Sequence, residues 1–134
     1  MNISKDKLGQ LRNMFKKQQN VVAVYVYGSR LKGYSTAKSD LDLAVVVDDV
    51  DKINYQSLYL KINQLFKKIE IDLRIVTAKS SPTYLFQVLK SGQCVYQRDE
   101  IEKVQFETKA LKDFYDSQHL RDIYDRYLRQ AFIE

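Results

Sequence analysis

Apolar and polar positions alternate along this chain with two different periods. Leu8, Leu11 and Phe15 recur at helical spacing within residues 4–19, and Ser4 is placed to cap a helix there. Residues 21–27 are an unbroken run of valine, alanine and tyrosine, expected as a buried strand. A loop from Gly28 to Ser39 follows, then a second apolar strand over about Leu41 to Val47. Asp48, Asp49 and Asp51 break the pattern and suit the start of the next helix, where negative charge is favoured. That helix is expected over about 53–67, because Tyr55, Leu58, Tyr59, Ile62, Leu65 and Phe66 make one stripe.

Over 69–76 the period changes to two. Ile69, Ile71, Leu73 and Ile75 point one way, and Glu70, Asp72 and Arg74 the other, as in a half-buried strand. Ser81 caps and Pro82 opens a further helix, which ends at Gly92. Cys94 to Gln97 is expected as a short edge strand. From Asp99 onward the pattern is helical, with Leu120, Ile123, Tyr124, Tyr127, Leu128 and Ala131 on one face. This face is expected to pack on the sheet; the alternative is a partner surface. Helices interleaved with strands make an α/β chain of one domain, 1–134, with its core at about 21–97 and a C-terminal helical segment at about 99–133.

Composition narrows the class without choosing a function. At 134 residues the chain can bury a core without a disulfide or metal staple. Its single cysteine excludes an internal disulfide framework and a cysteine zinc site. The polar start lacks a signal core and no run is long enough to span a bilayer, so the cytoplasm is the default expectation. A net charge of +5 fits either ordinary basic faces or an anionic ligand. The basic residues form no block, which argues against direct nucleic-acid binding.

The chemistry concentrates between the first two strands, in Gly28-Ser29, ten residues, then Asp40-Leu41-Asp42. Gly28 permits a sharp turn or a close backbone approach, and the N–H and hydroxyl of Ser29 can meet a phosphate. Arg30 and Lys32 can neutralise a polyphosphate or serve as surface charge, while Gly33 serves the loop backbone. Asp40 and Asp42 project to one strand face. Adjacent carboxylates repel unless a cation lies between them, and hard oxygen ligands suit Mg²⁺ or Mn²⁺. Asp72 is the candidate third carboxylate, a metal ligand and proton acceptor in a two-metal displacement. Its alternative role is an exposed residue paired with Arg74, and Glu70 is its substitute if the register differs by two. His119 is assigned a structural place, and most of the ten tyrosines a core or interface place.

The Gly28-Ser29, Asp40-x-Asp42 and Asp72 set resembles the nucleotidyltransferase superfamily with the polymerase-beta-like fold. The small size is similar to its minimal nucleotidyltransferase branch, especially the MntA-type antitoxins. The fold likeness spans roughly Val21 to Gln97, and the segment from Phe106 to Tyr115 shares that branch's general character. The resemblance implies a small mixed sheet flanked by helices. It implies that Gly28 and Ser29 hold ATP, that Asp40 and Asp42 bind two Mg²⁺ ions, and that Asp72 completes the site and assists the attacking hydroxyl. It further implies transfer of AMP to a tyrosine of a cognate HEPN-domain ribonuclease toxin, as partner in a hetero-oligomer. The roughly 35 residues after the predicted sheet are too few for a full acceptor domain, which favours a protein acceptor. The alternatives are a non-catalytic antitoxin that masks its toxin and a transferase acting on a small molecule such as an aminoglycoside.

Overall fold

The computed structural model describes residues 4–27, 41–67 and 69–133. Helix α1 (Lys5–Lys16) starts where the Ser4 side chain accepts a hydrogen bond from the Lys7 amide. Strand β1 (Val21–Tyr27) follows, then β2 (Leu41–Val47) and a single 3₁₀ turn at Val50–Lys52. Helix α2 (Tyr55–Leu65) is capped by Asn54, whose Oδ1 accepts from the Ser57 amide at 3.1 Å. The expected aspartate start is therefore displaced. Asp49 caps the 3₁₀ turn, and Asp48 pairs with Arg98 at 2.9 Å. Strand β3 (Ile71–Val76), helix α3 (Pro82–Ser91), strand β4 (Gln93–Gln97) and helix α4 (Glu100–Ile133) complete the order.

The four strands form one mixed sheet in the order β3-β2-β1-β4. β1 runs antiparallel to both β2 and β4, and β2 runs parallel to β3. The parallel pair is joined through α2, the crossover that such strands require. β4 lies at an edge, as its short run suggested.

Helices cover both sides of the sheet. Leu8, Leu11 and Phe15 of α1 and Leu58 and Ile62 of α2 pack on Val24, Val26, Leu41, Leu43, Val45, Ile71 and Leu73. Leu85 and Val88 of α3 and Phe106 and Ala110 of α4 pack on Ala23, Tyr25, Ala44, Val46 and Val76. Central strands buried on two faces need apolar residues at nearly every position, and β1 and β2 have them. Edge strand β3 keeps the alternating pattern, with Arg74 exposed. Gly92 closes α3 tightly against β1: a β-carbon there would collide with the Val88 carbonyl oxygen and crowd Val26 and Tyr27.

Helix α4 departs from expectation. Its 34 residues extend about 51 Å at 1.5 Å per residue. Its first half packs through Phe106 and Ala110, and Phe114 stacks on Phe86 of α3 with ring centroids 3.9 Å apart. The stripe expected to lie on the sheet does not reach it. Leu120 is 65% exposed and Tyr127 71%, and Ile123 and Tyr124 are exposed too. A helix this long outruns strands of five to seven residues, so the distal face has no sheet beneath it. His119, assigned a structural place, is also exposed on this segment.

Replacing Phe106 by Ala is expected to cost about 3 kcal/mol, by transfer and cavity terms together. Replacing Tyr127 by Ser is expected to stay within about 0.5 kcal/mol, as for an uncovered surface site. Urea unfolding of both variants checks the contrast, and equal losses would place the distal stripe in the core after all.

Candidate active site

The strand register assembles the site. Asp42 and Asp72 are directly paired across the parallel β2–β3 ladder, flanked by Leu41↔Ile71 and Leu43↔Leu73. Neighbouring strands lie about 4.8 Å apart, and in-register side chains share a face. Since Leu41, Leu43, Ile71 and Leu73 are buried against α1 and α2, both aspartates project to the opposite face. Both are half-buried there. Glu70 lies one residue before β3, where its carbonyl accepts from the Leu41 amide at 2.7 Å. Asp72 is thus the carboxylate in register with Asp42.

Gly28, Ser29, Arg30, Lys32 and Asp40 lie outside the described residues. They belong to the connection between Tyr27 and Leu41, and Tyr27 is the register partner of Asp42. Among the described residues, no group of three His, Cys, Asp or Glu side chains is gathered.

Three further side chains stand at this corner. Arg74, two residues beyond Asp72 on the same face, holds its Nε 3.7 Å from Asp72 Oδ1, with side-chain exposures of 55% and 42%. Its guanidinium carbon is 5.4 Å from the centre of the Tyr84 ring. Tyr84, in the first turn of α3, shares a hydrogen bond with Tyr27 between hydroxyls 2.6 Å apart, the rings meeting edge to face. Burial pushes the Tyr27 phenol above its ordinary value, and the bond to Tyr84 and the charge of Asp42 add to the rise. Tyr84 is raised chiefly by burial, with Arg74 acting against it. Arg74 was visible in the sequence only as a possible partner of Asp72. Tyr27 and Tyr84 carried no signal, because their contact joins positions 57 residues apart.

A cleft of about 560 Å³ opens at the far end of β2 between Val46, Asp48, Thr77, Lys79 and Arg98. Arg98 already binds Asp48 and Glu102, at 2.9 and 2.6 Å, so its charges are matched internally. The carboxylate pair at the other end has the better donor set for a cation: two hard oxygen ligands on one face, within reach of solvent.

The sequence profile of the family described as Polymerase beta, Nucleotidyltransferase matches residues 9–101. None of the curated proteins compared with the chain matches it. Among solved structures, a toxin–antitoxin complex with AMP-PNP contains a chain 24% identical, with a TM-score of 0.65 and 94% of each chain covered. A complex of tri-AMPylated Shewanella oneidensis HEPN toxin with MNT antitoxin gives 20% identity and a TM-score of 0.65, covering 98% of this chain and 96% of the other. Spectinomycin adenyltransferase from Enterococcus faecialis, solved with ATP and spectinomycin, gives 15% identity and a TM-score of 0.52. It covers 91% of this chain and 69% of the enzyme. At these identities the likeness is one of fold.

The tyrosine pair has a pH signature. A phenol ionises near pH 10 in the unfolded chain, whereas folded Tyr27 and Tyr84 hold their protons to higher pH. The stability they contribute is complete below about pH 10 and is lost as pH rises from there toward the folded values. The urea midpoint is therefore expected to fall between pH 9 and pH 11, and to fall less in Tyr27→Phe. An equal drop in the variant would place the titration elsewhere.

Proposed function

The chain belongs to the polymerase beta nucleotidyltransferase family, and from that membership we propose that it transfers AMP from ATP to a tyrosine hydroxyl of a HEPN-type ribonuclease toxin, acting as that toxin's antitoxin. The observation that carries this proposal is the in-register Asp42–Asp72 pair, with Tyr27 opposite Asp42 on the neighbouring strand. Two carboxylates on one strand face fit divalent magnesium in donor type and in charge. Asp40, Asp42 and Asp72 would hold two such ions, and bound there they supply charge neutralisation at the phosphates and at the attacking oxygen.

The chain's own residues do the rest. Backbone N–H groups at Gly28 and Ser29 hold the polyphosphate, and Arg30 and Lys32 offset its charge. The acceptor phenol oxygen forms a bond to the α-phosphorus. The bond from that phosphorus to the bridging oxygen of the β-phosphate breaks, and pyrophosphate leaves with the electron pair. Asp72 takes the phenol proton. Position matters more than basicity, because a phenol with a pKa near 10 is mostly protonated at neutral pH.

Two features support a protein acceptor over a small molecule. The chain matches the chains in the toxin–antitoxin structures nearly end to end, but only 69% of the spectinomycin enzyme. It also carries an exposed apolar helix face at Leu120, Ile123, Tyr124 and Tyr127, the kind of surface that holds a partner. That same face also favours a second reading, in which the protein neutralises its toxin by masking it without chemistry.

Incubation with ATP, Mg²⁺ and the toxin is expected to add the mass of AMP to a toxin tyrosine, read by intact-mass spectrometry. Asp42→Ala and Asp72→Ala are each expected to slow transfer at least about a hundredfold. A toxin that is bound yet unmodified by the wild-type protein would sink the catalytic proposal. Masking predicts instead that the Asp40→Ala, Asp42→Ala double variant still neutralises fully in cells. The double variant Tyr124→Glu, Tyr127→Glu is expected to weaken toxin binding at least about tenfold while leaving the urea midpoint unchanged. Unaltered affinity in a titration would show that the partner docks elsewhere.

A further inference from the structure

Arg74 is held at the carboxylate pair from two sides. Asp72 Oδ1 lies 3.7 Å from its Nε, and the face of Tyr84 lies beneath its guanidinium at 5.4 Å. The ring is itself anchored. Tyr84 belongs to the first turn of α3, its amide faces the capping hydroxyl of Ser81, and its own hydroxyl is locked to Tyr27. Tyr27 stands opposite Asp42 on the neighbouring strand. Arg74, Tyr84 and Tyr27 thus form an arch from one carboxylate to the strand position facing the other.

An exposed ion pair at this distance contributes little to stability, so folding alone is a weak account of the arrangement. Its chemistry gives a better one. A guanidinium stays charged at any ordinary pH and has no lone pair to offer a metal. It and a divalent cation are therefore competitors for the same carboxylate oxygen. We infer that Arg74 is a resident counter-cation of the Asp42–Asp72 pair: it occupies Asp72 in the absence of a divalent ion and has to release it when the ion binds, while the Tyr84 ring retains the guanidinium at the edge of the site. This rests on the proposed nucleotidyltransferase role of the pair.

The sign of the effect is fixed by two causes acting together. Removing Arg74 removes a competitor, and it also removes a positive charge that repels the incoming ion. Both tighten metal binding. Arg74 is then a positioning residue that keeps the resting site loosely metallated, with Asp72 already ordered.

The test uses Mn²⁺ alone, without nucleotide, with the free ion read by electron paramagnetic resonance. Arg74→Gln is expected to bind Mn²⁺ about fivefold tighter than wild type, and Arg74→Lys, which keeps the charge but not the planar stacking, in between. Tyr84→Phe keeps the ring but loses its anchor to Tyr27, and is expected to shift less than Tyr84→Leu. Tyr84→Leu frees the guanidinium and is expected to shift part of the way toward Arg74→Gln. Unchanged or weaker binding in Arg74→Gln overturns the inference. Asp42→Asn separates the two levels: if it abolishes Mn²⁺ binding while Arg74→Gln changes nothing, only the role of Arg74 falls. If Mn²⁺ binds equally well without the Asp42 carboxylate, or binds neither wild type nor Arg74→Gln, the metal site and the inference fall together.

Discussion

The site depends on one constraint, the parallel register between β2 and β3. Leu41 pairs with Ile71 and Leu43 with Leu73, all four buried against α1 and α2. That burial leaves Asp42 and Asp72 a single place, side by side on the other face. A slip of one residue would drive a carboxylate into the core and bring a leucine out, a change opposed by hydrophobic and desolvation terms at once. The backbone bond from the Leu41 amide to the Glu70 carbonyl closes the ladder at its first rung. Two like charges are thus held together by apolar residues whose side chains are buried on the opposite face of the sheet. The repulsion between them is part of what a cation would relieve.

The second face decides where the site can lie. Leu85, Val88, Phe106 and Ala110 cover the middle of the sheet, over Tyr25, Ala44, Val46 and Val76. At the end where β1 finishes and β2 and β3 begin, the cover gives way to polar side chains: Tyr27, Asp42, Asp72 and Arg74. The crowding that a β-carbon at Gly92 would meet at Val26 and Tyr27 shows how closely the end of α3 returns to β1. That return places Tyr84 over the corner, where its hydroxyl meets Tyr27 and its ring meets Arg74. Helix packing and site geometry are therefore not separable here.

Much of this was legible in the chain because it is set by local period. The double-sided burial of β1 and β2 appears as continuous apolar runs, and the single-sided burial of β3 as alternation, which is why Asp72 could be assigned to the face away from Leu73. Ser4, Ser81 with Pro82, and Gly92 marked helix ends through hydrogen-bonding and steric rules that act within a few residues. Asn54 was missed as a cap because three aspartates precede it, and each found another partner or place. The stripe from Leu120 to Ala131 was recognised as a face but given the wrong neighbour. Period states that a helix has an apolar side; it does not state how far the sheet extends beneath it. The Tyr27–Tyr84–Arg74 arch was invisible for a related reason, since it joins three elements whose meeting is a property of topology.

The overhang of α4 has an energetic consequence of its own. Residues from Tyr115 onward extend about 28 Å past the packed half. A free helix of that length is marginal in water without tertiary contacts. Ion pairs four residues apart, such as Lys109–Asp113 at 2.6 Å and Lys112–Asp116 at 4.0 Å, support the turn where packing ends. Beyond it, Asp122 with Arg126 and Asp125 with Arg129 keep the four-residue spacing in the opposite, acid-before-base order, the more favourable one. Such pairs contribute only a few tenths of a kcal/mol each, and they leave leucine, isoleucine and tyrosine exposed on the other side. Docking that buries this stripe would supply the tertiary contacts that the overhang lacks. In the proposed function, the sheet end and the helix overhang divide the work: chemistry is set by the strand register, and partner retention by the exposed apolar face of α4.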